Sequence, residues 1–115
     1  MTDKQKIMKP WGYEEIWAHT SVYVGKLICI NPGQRLSKQY HVTKEETVYV
    51  IEGILVNYDK HDVAKKYYPG DSIHIHPGMI HRFGATENKY VKLIEVSTNY
   101  LDDVVRLEDD YGRGK

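Results

Sequence analysis

GQRLSKQYHVTKEETVYVIEG, residues 33–53, contains two runs in which side-chain character alternates with a period of two, the signature of half-buried strands. In the first run Arg35, Ser37, Gln39 and His41 share one strand face, and Leu36, Lys38 and Tyr40 share the other. In the second, Glu46, Val48 and Val50 alternate with Thr47, Tyr49 and Ile51. If the two runs close as a hairpin over residues 42–45, Glu46 lies nearly opposite His41, and same-face neighbours across such a pair are about 5 Å apart at Cβ. An amide, an imidazole and a carboxylate then converge. Glu46 shares its face with two valines and so points inward, where a carboxylate is unfavourable unless a metal or hydrogen bonds compensate it.

Further strands are expected over 13–18, 22–30, 54–58, 64–68, 72–76, 81–85 and 89–97, in addition to 35–41 and 46–52. Asn31-Pro32-Gly33, Glu52-Gly53, residues 59–62, Pro69-Gly70-Asp71 and Pro77-Gly78 supply the turns. No amphipathic helix of three or more turns separates these strands, which excludes βαβ architecture and leaves an all-β sandwich or closed barrel. With 115 residues the chain has material for one core, so a single domain over 1–115 is expected. Its polar tail, residues 102–115, carries Val104, Val105 and Leu107, and fits either a short helix or an extended arm.

Lys plus Arg and Asp plus Glu both number 16, so no net field draws the chain to nucleic acid or to an anionic membrane. Cys29, alone within Leu27-Ile28-Cys29-Ile30, is expected to be a buried, inert thiol. The amino-terminal MTDKQKIMKP lacks the apolar run of a signal peptide, and no segment reaches the roughly 20 apolar residues that span a bilayer. A cytoplasmic location is the expectation. Open sheet edges and ten tyrosines point to pairing as a homodimer.

His81 follows the rigid Pro77-Gly78 turn and can face the first three polar residues from the opposite wall of a barrel. Gln39, His41, Glu46 and His81 then form either a hydrogen-bonded polar cluster or a site for one divalent ion with an open position. The donor set suits zinc, nickel, manganese, cobalt or iron. His74 and His76 share another strand face, where they are a second metal pair, a proton-transfer group at the cavity mouth, or ordinary surface residues. His19 and His61 sit among turn residues and are expected in solvent.

The spacing of Gly33, Gln39-Tyr40-His41, Glu46 and Gly53 resembles the first motif of the cupin family, with Gln39 in place of its first histidine. Gly70-Asp71, His76-Pro77-Gly78 and His81 resemble the second, over residues 70–85; His76 stands where a proline is usual, and Ala85 where an asparagine is usual. The resemblance implies a double-stranded β-helix, or jelly-roll barrel, with a metal between the motifs. Lys9-Pro10-Trp11-Gly12, Tyr23 with Lys26, residues 31–37, His81-Arg82, Ile94-Glu95-Val96, Val105-Arg106 and residues 108–113 look like the type II phosphomannose isomerase domain, often the carboxy-terminal part of bifunctional mannose-1-phosphate guanylyltransferases. Three departures stand beside the ligands. Thr43 and Thr47 replace histidines, and Lys44 replaces an arginine.

That resemblance implies interconversion of mannose 6-phosphate and fructose 6-phosphate, with the metal polarising a sugar oxygen. Glu95 and Lys26 are candidates for the base that moves the proton, with a structural ion pair as the alternative for each. Arg82 is a candidate phosphate clamp, although it must leave the strand face opposite His81. Two other functions compete on the same fold: epimerisation or ketoisomerisation of a nucleotide sugar, and non-catalytic binding of carbohydrate.

Overall fold

The computed structural model describes residues 5–113; residues 1–4 and 114–115, the ends of the expected domain and tail, lie outside the described residues. Among the described residues the chain forms eleven strands and no helix. They are β1 (Gln5–Lys9), β2 (Gly12–His19), β3 (Tyr23–Ile30), β4 (Lys38–Tyr40), β5 (Glu46–Glu52), β6 (Leu55–Tyr58), β7 (Ala64–Tyr67), β8 (Ser72–Ile75), β9 (Arg82–Ala85), β10 (Val91–Thr98) and β11 (Val105–Glu108). One sheet runs β1-β2-β3-β10-β5-β8, a second β7-β6-β9, and β11 pairs with β4. Backbone hydrogen bonds from Leu36 N to Phe83 O (2.8 Å) and between Gln39 and His81 in both directions (3.0 and 2.9 Å) join the β4 segment to β9. The smaller sheets therefore form one continuous layer facing the larger sheet.

Alternation places the core between the layers. Ile28, Ile30, Val48, Val50, Ile73, Ile75 and Leu93 point inward from the large sheet and meet Leu55 and Phe83 from the other. Each such side chain contributes roughly 1.5–3 kcal/mol by leaving water. Tyr49, Ile51, Tyr23 and Val96, on the outer face, remain exposed. Cys29 is buried as expected, and burial raises its thiol pKa. Gly12 allows the closest approach: a Cβ there would lie 2.0 Å from the Cys29 carbonyl oxygen, so only glycine lets β2 pack against β3 immediately after the buried Trp11.

The expected strands are present, most with ends within one or two residues of those expected, and three features differ. The hairpin of the first motif does not form. β4 pairs with β11 and β5 with β10 and β8, so residues 42–45 carry the chain from one layer to the other. The run expected over 35–41 is a strand only at Lys38–Tyr40, and His81 precedes β9, held by an isolated bridge to Gln39. Finally, β1 adds a strand where none was expected, and of the two forms left open for the tail the structure shows the extended arm, lying along β4 with β11 at its centre.

Candidate functional site

The layer crossing at residues 42–45 brings His41 and Glu46 face to face across the barrel. His41 Nε2 lies 3.3 Å from Glu46 Oε1 and His81 Nε2 lies 3.4 Å from the same oxygen, with all three residues buried. The other ring nitrogens are anchored. Nδ1–H of His41 donates to the Asp103 carbonyl oxygen at 2.5 Å, and that of His81 to the Met79 carbonyl oxygen at 3.0 Å. A carbonyl oxygen only accepts, so both rings carry the proton on Nδ1 and, when neutral, turn Nε2 lone pairs toward a carboxylate. Three acceptors thus converge within 4.8 Å of one another, an arrangement that repels itself unless a proton or a cation lies among them. Two imidazoles oriented by carbonyls and one carboxylate fit a divalent borderline metal. Burial pushes the Glu46 carboxyl up, but the histidines, which donate to it only when Nε2 also carries a proton, together with the Lys44 charge outweigh burial and hold the group well below the usual carboxylate range.

Around this group lies a cavity of about 100 Å³. Gln39 stands on its wall beside the triad, its side-chain oxygen accepting the Ser37 hydroxyl at 2.6 Å. Lys44, buried, bridges Glu46 Oε2 (3.4 Å) and Glu95 Oε2 (3.2 Å). The contact to Glu95 is an ion pair without hydrogen-bond geometry, since Glu95 Oε2 is buried with no hydrogen-bond partner among the described residues. Burial and the neighbouring Glu46 charge push Glu95 up to about 7, against the pull of Lys44. Opposition to burial works the other way on Lys44, whose pKa is raised because Glu95 and Glu46 outweigh its desolvation. Lys26, opposite Glu95 in the β3–β10 register, also lines the cavity and pairs with Glu14 at 3.2 Å.

Arg82 is not part of this wall. Alternation turns it away from the side occupied by His81 and Phe83, and its 2% exposed side chain donates to Leu36 O at 2.9 Å and to Asp110 at 2.8 Å. It tethers the carboxy-terminal arm to the barrel and has no contact with the cavity, which corrects its expected role as a phosphate clamp. Besides Lys26 and Lys44, the cations at the cavity are Lys9, Arg106 and Arg113. Asp109 holds Arg113 at 2.8 and 3.0 Å, whereas Arg106 Nε is buried without a hydrogen-bond partner among the described residues.

Asp103 was not singled out by the sequence, yet it supports the site from two directions. Its carboxylate accepts the backbone N–H groups of Val42 (3.0 Å), Thr43 (2.7 Å) and Lys44 (2.8 Å), while its carbonyl orients His41. Thr43 is exposed and Thr47 lies on the outer face, both off the cavity wall. Of the three altered positions beside the ligands, only Lys44 faces the cavity. The second histidine pair also has a place: His74 and His76 stack at 4.3 Å on the outer face, with Glu45 Oε2 2.6 Å from His74 Nε2.

Two facing antiparallel layers with a polar triad between them define a cupin. A cupin-like protein from Thermotoga maritima superposes with a TM-score of 0.75 at 19% identity, covering 90% of this chain and 86% of that one. A sugar phosphate isomerase of the cupin superfamily from Silicibacter pomeroyi superposes with a TM-score of 0.68 at 23% identity, over 76% and 59% of the two chains. Within the cupins the chain belongs to the mannose-6-phosphate isomerase C-terminal family, whose model matches residues 1–109. Mannose-1-phosphate guanylyltransferase ManC of Salmonella typhimurium is 36% identical over 116 residues, 95% of this chain and 23% of ManC. The chain therefore spans about a quarter of the length of the curated relatives it matches. Among the described residues no helix is long and apolar enough to cross a membrane.

Proposed function

We propose that this chain is a metal-dependent sugar-phosphate isomerase that interconverts mannose 6-phosphate and fructose 6-phosphate through an enediol. The observation that carries the reading is the convergence of three buried acceptors, His41 Nε2, His81 Nε2 and Glu46 Oε1, beside a second buried carboxylate on the same cavity wall. His41, Glu46 and His81 hold the divalent ion, with Gln39 as an adjacent amide. When bound, that ion supplies Lewis-acid polarisation of a sugar oxygen.

The remaining steps fall to side chains of the chain itself. Glu95 carries the proton between the two carbons of the substrate: of the cavity carboxylates, Glu46 is engaged by the histidines, Glu14 by Lys26 and Asp103 by backbone N–H groups, whereas Glu95 Oε2 has no hydrogen-bond partner among the described residues. Lys44 holds Glu46 and Glu95 at a fixed separation, and Lys26 balances the charge of Glu14 on the adjoining wall. Trp11, Ile28, Leu36 and Phe83 give the cavity an apolar side that excludes water from the proton transfer. At the rim, Arg106 with its unpartnered Nε, together with Lys9 and Arg113, receives the phosphate. The substrate is a soluble metabolite, and we place the activity in the cytoplasm. The exposed Tyr23, Tyr49 and Val96 on the outer sheet face support a homodimer.

A coupled assay of mannose 6-phosphate turnover, with metal content measured in parallel, tests the reading. Chelation should abolish turnover and a divalent metal should restore it, whereas His81→Ala should lose both metal and turnover. Undiminished turnover in metal-stripped protein would refute it. Metal binding with no turnover, together with a melting temperature raised by sugar phosphate, would convert the assignment to a binding module.

A further inference from the structure

Outside the cavity, the β5–β8 pair carries a second group of ligating side chains. The register sets Glu46 opposite Ile75 and Thr47 opposite His74, which brings Glu45 beside the strand end that leads into His76. Ile73 and Ile75 point into the core, so the alternation forces His74 and His76 outward, where both are exposed. Because β8 is the edge of the six-stranded sheet, no neighbouring strand covers them on that side.

From these observations we infer that Glu45, His74 and His76 form a second, solvent-accessible site for a divalent transition metal. The imidazole rings stack at 4.3 Å with an interplanar angle of 22°, and Glu45 Oε2 lies 2.6 Å from His74 Nε2. One ligand atom from each residue lies within 4.8 Å of the others, so a single ion reaches all three. A simple ion pair accounts for Glu45 and His74. It does not account for His76, whose ring makes no hydrogen bond among the described residues and yet lies parallel to its neighbour. Two imidazoles and a carboxylate select borderline ions such as Zn²⁺, Co²⁺, Ni²⁺ or Cu²⁺ over Mg²⁺ or Ca²⁺. Solvent supplies the remaining coordination positions.

The site has no ligand in common with His41, Glu46 and His81, and its existence does not depend on the proposed isomerase activity. Its ion exchanges more readily than one in the cavity, since the His74 and Glu45 side chains are 44% and 49% exposed. The outer group is connected to the inner one through the backbone. The turn that begins at His76 returns Gly78 N to the His41 carbonyl oxygen at 2.7 Å, and Met79, in the same turn, orients His81.

The test is a Zn²⁺ titration of the chelator-stripped full chain against a chromogenic competitor, alongside NMR of the histidine ring protons. The wild-type chain should take up two equivalents, and the ring signals of His74 and His76 should shift in the weaker step. His74→Ala combined with His76→Ala should remove that step and leave the tighter one. His81→Ala should do the reverse. Ring signals of His74 and His76 that stay unmoved by Zn²⁺ in the wild-type chain would overturn the proposal whatever the variants do. So would a double variant that folds and still binds two equivalents with unchanged affinity.

Discussion

Glu45 and Glu46 are consecutive residues, each beside two histidines, and they live in opposite environments. Glu46 is 3% exposed and points into the barrel; Glu45 is on the water side of the same strand pair. Inside, burial makes every unpaired acceptor unfavourable, so histidines, carboxylate and Lys44 must satisfy one another or share a cation. Outside, water solvates each group separately, and the ligands lose little if no ion is present. The same donor set is therefore part of the stability of the fold at one face and an optional site at the other. The period of two in a strand is what separates the two roles.

Substitution of the two glutamates breaks this comparison most directly. Glu46→Gln removes the charge that Lys44 and both histidines surround, and breaking such a buried pair is expected to destabilise the fold by about 3 kcal/mol. Glu45→Gln should stay within about 0.5 kcal/mol of wild type, as exposed substitutions do. Urea denaturation of the metal-free chains measures the difference. Equal losses would mean that burial does not distinguish the two groups.

Asp103→Ala sharpens the comparison from the next layer. It frees three backbone N–H groups in residues 42–44 and loosens the carbonyl that orients His41, without touching a ligand side chain. Metal affinity at the inner site should fall about 10–100-fold, as it does when outer partners of a ligand are lost, while the outer step of the titration stays unchanged. The two-step Zn²⁺ titration distinguishes the effects within one experiment.

How the sequence foreshadowed this arrangement follows the range of the interactions. The inward placement of Glu46, Val48 and Val50 needed only local alternation, and the structure shows it. Motif spacing brought His41, Glu46 and His81 together even though the hairpin invoked to join the first two does not form. The family spacing encodes the outcome of a layer crossing that strand periodicity cannot reveal. Lys26 and Glu95 reach the cavity because both sit on regular strands in register with one another. Arg82 followed the alternation too, and the expected clamp required it to do otherwise. What stayed illegible was the pairing of β11 with β4, which joins Arg106 to Gln39 across the length of the chain. Four residues of weak alternation in an acidic tail carry no mark of a partner that distant, so neither Asp103 nor Arg106 stands out as a site residue from the sequence.

The smallest expected effect separates the arm from the barrel it covers, and its sign follows from three depressed carboxyls. Hydrogen bonds from the Arg113 guanidinium, opposed by burial, bring Asp109 down to about 2. The bond from Arg35, again against burial, lowers Asp110; three backbone N–H groups overcome burial to lower Asp103. A carboxyl whose pKa is depressed by folding stabilises the folded form fully above its unfolded value, near 4, and loses that contribution as the pH falls through its folded value. The arm should thus stay docked at neutral pH and begin to detach below about pH 4, with Asp109 the last of the three to be protonated. Hydrogen exchange over residues 101–113, followed against pH, reads this release separately from the core strands. Arg113→Ala should move the last stage of detachment upward toward the ordinary aspartate range, because it removes the main cause of the Asp109 shift. The amides of β5 and β10, whose inward side chains are buried between the layers, should keep their protection while the arm opens. Simultaneous loss of protection in arm and core would instead make the arm part of one cooperative unit with the barrel.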